Sequence, residues 1–328
     1  MSDLLIGLLS AALATNQPAA VSNLVTQTTG LSITIPDPND PVEKEFQNLM
    51  EDDDVAQEEV EKWIHENVAF ASKGGGITSA ELNGRIEARF STVRKAYEDF
   101  LKRHPDHARG HLAYGSFLTD IHDVEDAEPE LEKARQLDPK NPAAWNQLAN
   151  IFTHTGPTEK VFEYYGKAIE LNPLEPVYYQ NLADSVFLFR VDAMEYWHIT
   201  EPQVFDKSLD LYRQALKLDP TNFPLATDLA QSYYGIKPTR TDEALNAWTN
   251  ALALAASETE KEGVYIHMAR FNLHAGRFAE AHRRIDMVTN EVHLELKNLI
   301  NKNLGIQEKA AATNAPPPKP EPDPPAKK

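Results

Sequence analysis

The chain reads as an all-α protein, an α-solenoid of about five helical hairpins with an N-terminal helical hairpin cap and a C-terminal capping helix. Three observations predict this. Apolar residues recur at three- and four-residue steps through successive stretches, the spacing of helices that bury one face. Prolines close these stretches at a repeating interval, with Pro139 and Pro173 standing 34 residues apart. Glycine is scarce, 14 in 328 residues, while 41% of the residues are hydrophobic, enough for a large core.

The unit that sets the period is residues 142–175. Trp145, Leu148, Ala149 and Phe152 turn one face of a first helix inward, and Val161, Tyr165 and Ala168 do so on a second. Gly156 and Pro157 break the chain between them, and Pro173 ends the second helix because its ring cannot continue the hydrogen-bond ladder. This W-x2-L-A-x2-F, V-x3-Y and closing-Pro pattern resembles the tetratricopeptide repeat, with Ala149 where that family most often has Gly and Val161 where it prefers Ala.

In chain order, residues 1–40 comprise an apolar helix and an extended linker. Residues 4–14 are a short apolar run, too short to span a bilayer, which suits a docking helix; the alternative is a signal peptide, although no basic leader precedes the run. Residues 41–107 form the cap hairpin, whose first helix carries Val42, Phe46, Leu49, Met50, Val60, Trp63, Ile64 and Val68. Its second helix, capped by Thr78 or Ser79, turns Leu82, Ile86, Phe90, Val93, Tyr97 and Phe100 inward. Residues 108–295 are the repeats. The first is marked by Tyr114, Gly115, Leu118, Ala127, Leu131 and Ala134, and the third carries a 13-residue insertion within residues 187–201. The fourth is marked by Leu229, Tyr233 and Trp248, and the fifth by Tyr265, Met268, Ala269, Gly276 and Ala281. A last helix with Val292, Leu296, Leu299, Ile300 and Leu304 closes the stack, ends at Gly305 and supplies residues 296–306. Residues 307–328, with seven prolines from Pro316 onward, read as a disordered tail.

Composition excludes several classes of function. A net charge of −18 disfavours nucleic acid and anionic membrane surfaces as partners, and the absence of Cys removes thiolate chemistry and disulfides. No stable membrane insertion is expected, and the cytoplasm is the expected location. No catalytic set stands out. Lys73-Gly74-Gly75-Gly76 places its lysine before the glycines of a would-be phosphate loop. His104, His107 and His111 have metal-like spacing but straddle Pro105, and the acidic run from Glu51 to Glu61 lacks the pattern of a calcium loop and reads as a solvated face, the alternative being a basic partner. Neither cofactor nor metal is expected, and the chain is not expected to be an enzyme.

The resemblance covers about residues 108–295 and implies a protein–protein interaction scaffold that binds a protein or peptide partner in the groove of the stack. Positions offset from the packing residues would line that groove: Leu112 and Ser116, Asn146 and Asn150, Gln180 and Asp184, Thr227 and Gln231, Ile266 and Arg270. Their amides and hydroxyls suit an extended backbone; the alternative is that they face water. A subclass of the family grips a C-terminal carboxylate with Lys and Asn, but Leu112, Gln180 and Thr227 stand where bases would help, so that property does not carry over. The insertion holds Phe187, Phe189, Met194, Tyr196 and Trp197, either as a partner contact or folded back on a neighbouring repeat. An accessory subunit of an enzyme complex, docked through the N-terminal segment, is the other functional reading.

Overall fold

The computed structural model describes residues 37, 39–71 and 75–313, which hold fourteen α-helices, two short 3-10 turns and no strand. The expectations for residues 1–36, for Lys73 and Gly74 and for residues 314–328 lie outside this range. The chain divides into two compact units, meeting in sequence at Leu174 and Glu175.

In the first unit α1 (Pro41–Ala71) pairs with α2 (Ser79–Arg103), α3 (Ala108–Asp120) with α4 (Val124–Leu137), and α5 (Pro142–Thr155) with α6 (Thr158–Leu171). Local chemistry fixes the helix starts. Thr78 and Glu81 exchange side-chain and backbone hydrogen bonds as a capping box on α2, while Asp123 and Asn141 accept backbone N–H groups at the starts of α4 and α5. The packing is tight where the sequence supplies small residues. A Cβ on Gly115 of α3 would lie 2.6 Å from Leu131 Cγ of α4, so only glycine lets these helices approach. Leu148, Ala149, Val161 and Ala168 are fully buried between α5 and α6. Trp145 is different. It lies half-buried, its Nε1 donating to the Pro139 carbonyl at 3.0 Å and its ring meeting Tyr164 edge-on, so it closes the hairpin from outside the core.

In the second unit α7 (Pro176–Leu188) packs on α9 (Glu201–Leu218), and the insertion between them is folded as a further helix, α8 (Arg190–Trp197). Thr200 and Gln203 form a capping box that restarts the chain as α9, with Pro202 in its first turn. α10 (Phe223–Ser232) pairs with α11 (Thr241–Leu254), and α12 (Glu258–His274) with α13 (Phe278–Ile285). Gly276 ends α12 with a φ of +71°, a left-handed turn that favours glycine.

The closing helix α14 (Leu294–Ala312) departs from expectation at both ends. Val292 falls in a 3-10 turn and is 75% exposed rather than packed, because Asn290 caps that turn first. The helix also runs through Gly305 to Ala312, past the predicted stop, since Gly305 has open space around it and adopts no left-handed turn. Ile300 and Leu304 seal the core of Ile266, Ala269, Leu273, Ala281, Ile285 and Val288, while Ala310 buries a further turn beyond the glycine.

Candidate peptide groove

α1 presents Phe46, Leu49, Asp53, Ala56 and Val60 on one buried stripe, at steps of three and four. One of the five is an acid. Asp53 is only 7% exposed, and its Oδ2 accepts the Tyr97 hydroxyl of α2 at 2.6 Å. Burial pushes the Asp53 carboxyl above the usual range, against the hydrogen bonds from Tyr97 and Gln57, which favour the carboxylate. Tyr97 in turn stacks on Tyr114 of α3 at 5.2 Å, tying three helices to one phenol.

Beside this pair a cavity of about 810 Å3 opens between α1, α3 and α5. Phe46, Met50, Leu112 and Phe117 supply apolar wall, and Ser116 and Gln147 supply a polar floor, joined by a 2.9 Å bond from Gln147 Nε2 to Ser116 Oγ. Asp53, Asp54 and Asp120 add carboxylates on α1 and α3. Burial raises the Asp120 pKa, and the charge of Asp53 raises it further. Arg109 reaches the rim, yet its charge is committed to Glu43 at 2.6 Å.

Of the predicted groove positions, Leu112 and Ser116 line this cavity, and the others fall elsewhere. Asn146 is 8% exposed, within the helix packing. Asn150 donates to Gln147 Oε1 at 2.8 Å and accepts the Tyr165 hydroxyl at 2.6 Å, so it orders the floor without lining the cavity. On α5 the amide that lines it is Gln147, one residue from the expected Asn146. In the second unit, Gln180 Nε2 donates to Asp228 Oδ2 at 3.0 Å, and Asp184 accepts the Tyr212 hydroxyl. Burial raises the carboxyl pKa of both acids. Thr227 Oγ1 donates to the Pro224 carbonyl, Gln231 is exposed, and the Arg270 guanidinium lies 5.5 Å from the Tyr234 ring centroid. Ile266 is buried in the core. On α8, Tyr196 meets Trp197 edge-on, Ala193 is buried, and Val191 and Tyr196 are exposed, as is Leu188 at the end of α7.

The three histidines do not converge. His104 faces Glu45, His107 faces Glu43 while accepting Gly110 N–H, and His111 lies between Glu130 and the Pro105 carbonyl at 2.5 and 2.9 Å. Burial disfavours the charged ring of His111, but these two acceptors outweigh it and hold its pKa above the usual value. Among the described residues no group of three or more His, Asp or Glu side chains is arranged to hold a metal ion. Nor is any helix there long and apolar enough to cross a membrane.

The family profile of the tetratricopeptide repeat matches residues 142–173, the α5–α6 hairpin that borders the groove. The α5–α6 hairpin is a tetratricopeptide repeat. Repeats of this family serve generally as scaffolds for protein–protein interaction. A curated relative, the RNA polymerase-associated protein CTR9 of Caenorhabditis elegans, is 26% identical over 140 residues, a match covering 42% of this chain and 12% of that protein. Among solved structures, YrrB, a TPR protein with an unusual peptide-binding site, is 12% identical at a TM-score of 0.49, covering 64% of this chain and 99% of that one. MamA is 23% identical at a TM-score of 0.42, covering 52% of this chain and 86% of that one.

Proposed function

We propose that this chain is a tetratricopeptide-repeat protein, a non-enzymatic adaptor that holds an extended segment of a partner protein between α1, α3 and α5, and that the segment carries a lysine or arginine. The observation that carries this reading is the cavity of about 810 Å3, which combines an apolar wall, a hydrogen-bonding floor and the carboxylates of Asp53, Asp54 and Asp120, with Lys140 also in its lining. Asp120 feels the charge of Asp53, and both are partly withdrawn from water. A cation placed between them replaces like-charge repulsion with attraction. The methylene stem of a lysine or arginine packs on Phe46, Met50 and Leu112, while Ser116 and Gln147 face the peptide backbone.

The test is selection of random 12-residue peptides on the purified chain, followed by binding titrations. Selected peptides are expected to carry a basic residue, and the double variant Asp54→Asn with Asp120→Asn is expected to weaken them about tenfold, the order of one charge-assisted contact. Binding should also strengthen as pH rises through the raised pKa values of Asp53 and Asp120, because only the ionised groups attract a cation. Selected peptides without basic residues, bound equally by the double variant, would refute the reading.

A further inference from the structure

α8 ends at Trp197, and beside that end a cleft of about 530 Å3 lies along the outward face of α9. Its wall includes Trp197, Ile199 and Leu211, with Lys207 reaching across so that Nζ stands 4.4 Å from the centroid of the Trp197 ring. Tyr196 braces that ring from the side, at 5.0 Å between centroids. Lys207 is half-buried, and loss of water lowers its pKa.

Two acids, Asp206 and Asp210, also line the cleft, but both are already engaged. Asp206 binds Arg240 at 2.5 Å and Asp210 binds Arg213 at 2.7 Å. Lys207 makes no ion pair with a carboxylate among the described residues. The cleft therefore offers one uncommitted positive charge beside an aromatic face and two aliphatic side chains. A partly desolvated ammonium gains most from a single anion that approaches from the open side.

We infer that this cleft is a docking site for a glutamate or aspartate side chain of a partner protein, next to a large apolar residue that packs on Trp197 and Leu211. A monoanion suits it better than a phosphate, whose second charge would face the carboxylates of Asp206 and Asp210. The site lies in the second unit, and nothing in its construction depends on the groove of α1, α3 and α5.

The experiment uses the full chain with 15N-labelled indoles, the Trp197 signal being assigned with Trp197→Phe. The probes are acetyl-Ala-Leu-Glu-Leu-Ala-amide and its Gln counterpart. The Glu peptide is expected to move the Trp197 signal saturably, and the Gln peptide to bind about tenfold more weakly. Lys207→Met should lose the same factor with its circular dichroism unchanged, and Lys207→Arg should keep binding. If Lys207 serves only to brace α8 against Trp197, Lys207→Met will lower the melting temperature and neither peptide will give a saturable shift, which overturns the inference. Equal binding of the two peptides, or binding that survives in Lys207→Met, overturns it as well.

Discussion

His267 of α12 lies parallel to the Trp248 indole, 4.2 Å between centroids, with Nδ1 2.9 Å from the Tyr234 hydroxyl. Burial first, and then the charges of Arg270 and His293, push its pKa down to about 4. In an unfolded chain a histidine titrates near 6.5. Between these values the unfolded state binds a proton that the native state refuses. The histidine's contribution is therefore complete above about pH 6.5 and is lost as pH falls toward about 4. At about 1.36 kcal/mol per tenfold change in proton affinity, the displacement is worth about 3 kcal/mol in all, of which about 2.5 kcal/mol disappears between roughly pH 7.5 and 4.5. His267→Gln keeps a polar partner for Tyr234 and removes the titration. Urea unfolding of both proteins at the two pH values, followed by tryptophan emission, isolates the effect because all other groups titrate in each. The stability of the parent relative to His267→Gln should fall by about 2.5 kcal/mol on acidification. A difference that stays constant within about 0.5 kcal/mol would show that the ring takes up its proton in place, and the burial argument would fail.

Other substitutions test the packing. Ala168→Leu puts three more carbons into a fully buried site on α6 and should cost about 1 to 3 kcal/mol in thermal or urea unfolding. Trp145→Ala should cost about 2 kcal/mol, below the core range of roughly 3 to 5, because the ring is half-buried; a loss as large as the core range would place it inside. Asp53→Asn should stabilise the first unit at neutral pH: the native carboxyl holds its proton to higher pH than the unfolded one, so its ionisation costs stability as pH rises. That gain should shrink as pH falls, and melting temperatures of the two proteins across pH 4 to 8 read it directly.

The helical hairpins were legible because their packing obeys a local rule: apolar residues three and four apart, small residues at close approaches, and breakers at the ends. Gly115 against Leu131 and Thr200 with Gln203 are cases where one residue type in the sequence dictates one contact. Trp145 was misread for a physical reason. Its position repeats the period of the core, but its indole N–H needs an acceptor, which the Pro139 carbonyl supplies at the edge of the hairpin. Gly305 was misread as a stop because glycine ends helices only where the backbone turns left-handed, and the burial of Ala310 favours continuing the helix.

The site was harder to read because groove positions are set by the angle at which helices meet, not by spacing within one helix. A rotation of one position on α5 exchanges Asn146 for Gln147, and no periodicity within residues 142–155 distinguishes them. Asp53 carried a signal of its own. It sits three to four residues from Leu49 and Ala56 on an otherwise apolar stripe, and an acid there either breaks the helix packing or finds a buried donor. Tyr97 is that donor, 44 residues away. Lys207 carried no comparable signal, since it occupies the polar face of α9 like any solvated lysine. Only the fold of α8, which brings Trp197 over it, and the prior engagement of Asp206 and Asp210 leave its charge available. A binding charge in a repeat protein is thus recognised by which neighbours are already paired, a property that exists only once the helices have packed.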